Sequence, residues 1–255
     1  MSLLSRNRYW IFSPMFYALL LGVSLGLVRP VFAEKLVFLA DHFPPYEFIQ
    51  SNGEPSGFDV EVIQAVYAHL NIPIEFKFRP WKRVVVMTKS GQATGMFSCV
   101  STVKREEFFE FSTPISYATL GLTVKKNRVD LKVSIKKDLL NLNVGAISGF
   151  ASNRHLIDAK IPFFKIPLLE NAFPMLQNER FDGLYLSLES ARFIAAENNI
   201  SDRLSFMPIT DIAPRPYRVC FSKKWPNYHE LKEQFDQAVA ILQASGKIAE
   251  IHDRY

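Results

Sequence analysis

From Asp41 to Pro114 the chain alternates strand-like and helix-like segments, and its aromatic, hydroxyl and Arg residues fall where the segments meet. Lys35–Ala40 is short and apolar and stops at Asp41, and Pro44-Pro45 forbids regular structure beyond it. Asn52-Gly53 marks a turn. Phe58, Val62, Ile63, Val66, Tyr67 and Leu70 recur at helical spacing with Glu61 in the first turn, which predicts an amphipathic helix over Phe58–Leu70. Pro73–Phe78 reads as a strand, Trp81–Ser90 as a helix closed by Gly91, and Gly95–Cys99 as a third strand. Such a β-α-β-α-β run implies a parallel sheet with right-handed crossovers. Folds of this type place ligands outside the carboxyl ends of their strands.

A second alternation follows Tyr117–Val124, itself read as a strand, and the polar break Lys125–Asp130. Strands are expected at Asn143–Ile147, Phe163–Ile166, Gly183–Leu186, Leu204–Met207 and Tyr217–Ser222, with helices between them and a long helix over Tyr228–Ala244. About 222 residues after the leader suit two lobes of roughly 100 residues each.

Residues 1–33 form a targeting segment. Arg6 and Arg8 precede a mostly apolar Tyr9–Val28, no acid appears before Glu34, and Val31-Phe32-Ala33 supplies the small residues that a signal peptidase reads. The charge asymmetry favours a cleaved signal peptide over an uncleaved anchor, and either form exports the rest of the chain. Without the three leader arginines, 27 basic residues face 25 acidic ones, so the formal charge of +5 falls to +2. No basic run with interleaved aromatics remains, so nucleic-acid binding is not indicated. Cys99 and Cys220 are the only cysteines. An oxidising compartment permits a disulfide between them, two buried thiols fit equally, and a separation of 121 residues does not discriminate.

Four motifs stand out: D-H-F-P-P-Y-E-F from Asp41, G-F-D-V-E-V from Gly57, R-P-W-K-R from Arg79, and S-T-V-K-R-E-E-F-F-E-F-S-T-P from Ser101. Their order and spacing resemble the amino-terminal lobe of the bacterial extracellular solute-binding proteins of family 3, the periplasmic polar-amino-acid binding proteins. The likeness covers nearly all of the chain after residue 33. It implies an α/β fold of the type II periplasmic binding class, two lobes joined by a hinge with a ligand cleft between them. Lobe 1 is expected over 34–118 plus 221–255 and lobe 2 over 119–220, with crossings near Tyr117–Leu122 and Tyr217–Phe221. The resemblance also implies site roles. Phe43 and Trp81 sandwich the body of the solute, since flat rings bury large area and stack on planar or cationic groups. Thr102-Val103-Lys104-Arg105 matches the family's Thr-x-x-Arg, whose Arg grips a carboxylate with two parallel donors. Ser98, Ser101 and Thr102 surround the same acid.

The second lobe departs from the family. After Arg180-Phe181-Asp182-Gly183 the position of the usual ammonium-holding Asp is Ser187, with Glu189 the nearest acid. Ser148-Gly149-Phe150-Ala151-Ser152 replaces two hydroxyls with Phe150 and Ala151 and keeps Ser152 at a helix start. In the first lobe Thr94 stands where Asp is common. Ser152, Ser187 and Glu189 are therefore the weaker candidates. A carboxylate grip is retained without an evident ammonium grip, and an unpaired amine in a closed cleft is costly. The expected solute is a small carboxylate-bearing molecule, an amino acid or derivative, with an apolar or aromatic portion.

None of the five His pairs with another His, Cys or acid at metal-ligand spacing, and no nucleophile or phosphate-loop motif appears. No catalytic residue, metal or cofactor is expected. The expected role is solute capture in the periplasm for an ABC transporter permease at the inner membrane. The alternatives are an input protein for a membrane receptor and, more remotely, a dehydratase-like enzyme using Asp41, His42 or Glu47.

Overall fold

The computed structural model describes residues 35–150 and 152–255, and the expected leader lies outside them. Two five-stranded sheets organise the chain. In the first, β1 (Leu36–Ala40) pairs in parallel with β4 (Ile74–Phe78) and β5 (Gly95–Cys99), as the alternation predicts. β12 (Arg215–Ser222) joins antiparallel to β5 and to the edge strand β6 (Phe109–Ala118). The order is β4-β1-β5-β12-β6. In the second sheet, β7 (Leu120–Lys125) runs antiparallel to β11 (Leu204–Pro208) and β10 (Gly183–Ser187). Parallel strands β8 (Val144–Ile147) and β9 (Phe163–Ile166) complete it beyond β10. A short hairpin, β2 (Phe48–Ile49) with β3 (Pro55–Ser56), stands apart.

The segment read as one strand, Tyr117–Val124, is two. The chain leaves the first sheet at Ala118, passes Thr119, and enters the second at Leu120. It returns between Pro208 and Arg215, because β12 pairs with the first sheet from its first residue. Tyr217–Phe221, expected at that return, lie inside the first sheet. β6 was not foreseen as a strand, since Pro114 interrupts its pattern. An edge strand tolerates the missing N–H that a central strand does not.

Helix α1 (Phe58–His69) buries Phe58, Val62, Ile63, Val66 and Tyr67, the face that its periodicity predicts. Each such side chain contributes roughly 1.5–3 kcal/mol on burial. Gly57 opens this helix at φ +116°, and a Cβ there would collide with the carbonyls of Tyr46 and Pro45. Helix α2 (Trp81–Lys89) starts directly after Pro80 and buries only Val84 and Thr88, so its first turn is free to face outward. The carboxyl-terminal helix α7 (Tyr228–Ala244) sets Phe235, Ala238 and Val239 into the first core. A separate core forms in the second sheet around Leu122, Val144 and Tyr185. Cys99 and Cys220 form a disulfide across neighbouring strands, with Cα atoms 6.3 Å apart. Among the described residues no helix is long and apolar enough to cross a membrane.

Candidate functional site

The strands β1 and β5 both end at one side of the first sheet, and the loops that follow them meet a loop of the second. Between them lies a hollow of about 490 Å3. Asp41, Phe43 and Glu47 enter from the loop after β1, Trp81 from the start of α2, and Ser98, Val100 and Arg105 from the end of β5 and beyond. Phe150 and Ser152 come from the loop after β8, and Arg215 and Tyr217 from β12.

Arg105 is held, not loose. Its Nη1 donates to the Val100 carbonyl at 2.9 Å and lies 3.5 Å from Cys99 Sγ. The guanidinium carbon sits 5.4 Å from the centre of the Trp81 ring, a cation–π distance. No carboxylate lies within ion-pair distance of it among the described residues, so Glu106 and Glu107 do not claim its charge. Glu106 instead accepts from Ser101 Oγ at 2.6 Å. Burial, and next the charge of Arg215, lower the Arg105 guanidinium from its ordinary value. Both effects disfavour a bare cation, and an anion would relieve both.

Beneath the hollow lies a buried acid pair. Ser98 Oγ is 2.8 Å from Asp59 Oδ2 and 3.1 Å from Glu47 Oε2, and it has one proton for the two. Glu47 also accepts the Asp41 N–H at 3.0 Å. Burial pushes the Glu47 carboxyl well above the usual carboxylate range and the Asp59 carboxyl up to about 7. Ser98 adopts φ +49°, a left-handed conformation that a non-glycine residue takes at a cost and that aims its hydroxyl between the two acids. Asp41 is raised by burial and pulled back by the backbone N–H groups of His42 and Trp81.

The rings are arranged differently from a simple sandwich. Phe43 stacks on Tyr46 with centroids 4.9 Å apart and planes 9° from parallel. Phe150 meets it edge-on at 5.2 Å from the second sheet's side. Tyr217 stands 6.2 Å away, also edge-on.

Of the nine residues singled out from the sequence, Phe43, Trp81, Ser98, Arg105 and Ser152 line the hollow. The other four have side chains engaged elsewhere. Ser101 binds Glu106, and Thr102 caps helix α3 (Val103–Glu106) by accepting the Arg105 N–H. Ser187 caps helix α6 (Leu188–Glu197) by accepting the Ser190 N–H at 3.3 Å. Glu189 accepts from Thr119 N–H at 3.0 Å and from Tyr46 O–H at 3.1 Å, so it fastens the first crossing between the sheets. Ser152 makes no capping hydrogen bond and lines the hollow. Arg83 is exposed and outside the hollow. Thr94 Oγ1 accepts the Val37 N–H at 3.0 Å, a structural task. Sequence reasoning missed Arg215 and Tyr217 as wall residues. The only signal was their place near an expected crossing, in Pro214-Arg215-Pro216-Tyr217. Among the described residues no group of three His, Cys, Asp or Glu is placed to hold a metal ion.

The family model for bacterial extracellular solute-binding proteins, family 3, matches residues 36–255. The chain belongs to this family. Family 3 proteins are binders of solutes rather than enzymes. Among its relatives is a probable histidine-binding protein of Neisseria gonorrhoeae, 28% identical over 84% of this chain and 79% of the other. An arginine-binding protein of an ABC transporter in Escherichia coli is 23% identical over 88% of this chain and 91% of its own. The solved arginine-, lysine-, histidine-binding protein of Geobacillus stearothermophilus superposes with a TM-score of 0.75 at 24% identity, covering 87% of this chain and 95% of that one. That likeness establishes the two-lobed type II periplasmic binding fold.

Proposed function

We propose that this family 3 protein captures a small carboxylate-bearing solute, an amino acid or derivative, and presents it to the permease of an ABC importer. The observation that carries this reading is Arg105: a half-buried guanidinium without an ion-pair partner among the described residues, beside Trp81, at the wall of a hollow between two sheets. In the proposed complex its outer donors take the carboxylate, and each charge-assisted hydrogen bond contributes about 1.5–3 kcal/mol. Phe43 and Trp81 flank the body of the solute, with Phe150 closing from the other side. Ser98 and Ser152 add hydroxyls. The two sheets belong to separate lobes, and rigid rotation about Thr119 and the 209–214 return opens and closes the hollow. The relatives' names, with histidine, arginine and ABC transporter among them, support an exported protein that serves an importer. The test is calorimetric titration of the mature protein with a panel of amino acids and other small carboxylates, repeated with Arg105→Ala. Binding lost in the variant, by a hundredfold or more, is expected. Undiminished binding in Arg105→Ala refutes the grip.

A further inference from the structure

Arg105 is not the only cation at the hollow. Arg215 opens β12 and lines the same wall as Tyr217. Its Nη1 is buried and has no hydrogen-bond partner, and no carboxylate lies within ion-pair distance of it among the described residues. A buried guanidinium nitrogen with nothing to donate to is costly, and such groups in a native chain call for a partner. Arg215 is close enough to Arg105 to lower its basicity, and it also depresses His155 and favours ionisation of Tyr185 and Tyr217. The fold thus brings two like charges to the wall of one hollow.

The acids of the hollow offset them only in part, and among the described residues neither Asp41 nor Glu47 lies within ion-pair distance of either guanidinium. Burial drives Glu47 toward its neutral form, and the Asp41 carboxylate is tied to the backbone N–H groups of His42 and Trp81. The approach is positive as well. A wide vestibule of about 1950 Å3 shares Arg105 and Phe150 with the hollow and is lined by Lys82, Lys89, Lys104, Arg154 and Lys165, with no Asp or Glu among the described residues of its wall. Arg154 is paired with Asp158 and Lys89 lies over the Phe108 ring, which leaves Lys82, Lys104 and Lys165 to set the field. A one-signed funnel of this kind concentrates ligands of opposite charge and speeds their entry.

We infer that the solute carries two acidic groups, one held by Arg105 and the other by Arg215, on a body short enough to lie between them against Phe43 and Tyr217. This rests on the solute-binding reading and narrows its ligand class to small dianions. A monocarboxylate would leave the buried Nη1 of Arg215 without an acceptor, and a cationic amino acid would add a third positive charge.

Matched pairs test this on the mature protein. Succinate, glutarate and phthalate are each titrated beside their monomethyl esters, and 3-phosphonopropionate beside butyrate, which separates a second carboxylate from a phosphonate. L-histidine, L-arginine and L-glutamine form the zwitterion set. At least one dianion is expected to bind tenfold or more tightly than its singly charged partner. Arg215→Gln should shrink that ratio below about threefold, and Arg215→Lys should keep most of it; melting curves of both variants without ligand confirm that they fold. An unchanged ratio in Arg215→Gln overturns the inference. If a zwitterion binds in an Arg105-dependent manner and no dianion does, the dianion class falls and solute capture stands. If nothing in either set binds, both fall.

Discussion

Asp59→Asn should remove a pH-dependent weakness that the wild-type chain carries behind its hollow. The Asp59 carboxyl is fully buried and accepts from Ser98 Oγ at 2.8 Å, and no cation lies within ion-pair distance of it among the described residues. Burial raises it to about 7, against about 4 for an unfolded Asp. The folded chain therefore holds this proton more tightly than the unfolded one. The stabilisation is fully present below pH 4 and is lost as pH rises through 7. Three units correspond to about 4 kcal/mol, which for a domain of this size is on the order of 10 °C in melting temperature. Asn matches the neutral acid in shape and does not ionise. Melting curves of both proteins from pH 4 to pH 8 should start close together, and the variant should then gain on wild type by about 10 °C. Glu47 is coupled to Asp59 through Ser98, so both curves are repeated on a Glu47→Gln background to isolate the Asp59 contribution. Parallel curves would refute the reasoning, because they would mean that Asp59 ionises in the folded chain without penalty.

Thiol titration of the denatured mature protein should find no free thiol until a reductant is added, and Cys99→Ser with Cys220→Ser should cost about 2–4 kcal/mol by relaxing the unfolded chain. Free thiols before reduction would contradict the disulfide. Glu189→Ala leaves the Thr119 N–H without its acceptor at the first crossing and the Tyr46 O–H with only the Tyr117 carbonyl, 3.3 Å away. A loss of about 2 kcal/mol in chemical denaturation is expected, and a neutral result would show that the crossing does not depend on it. Gly57→Ala should destabilise by more than about 1 kcal/mol, since φ +116° and the carbonyls of Tyr46 and Pro45 leave no room for a methyl group. An unchanged melting temperature would show that the turn relaxes freely.

Helix α1 was legible because its buried face repeats every three to four residues, and the repeat records burial directly. The three parallel strands were legible for a similar reason, each short and apolar and bounded by Pro, Gly or Asp. The Arg105 side of the hollow was visible because Trp81, Ser98 and Arg105 belong to compact local motifs. The family 3 likeness of those motifs is matched by the family model over residues 36–255. Edge strand β6 was hidden because Pro114 argues against a strand unless the position at the sheet's rim is known. The joint at Thr119 was hidden because an apolar run does not announce that it changes sheets.

By itself, then, the sequence determined the alternation of elements, the two-lobed class and the Thr102–Arg105 motif by which it resembles family 3, since each is written in residues near one another along the chain. Only the tertiary structure decided that Arg215 stands near Arg105, 110 positions earlier, that Glu189 turns to the crossing and Ser187 to a helix cap, and that Ser98 sits between two buried acids. Those facts depend on sheet order and on where the chain returns from the second sheet to the first. Side-chain periodicity carries no record of either, because it reports which face is buried and not which distant strand arrives beside it.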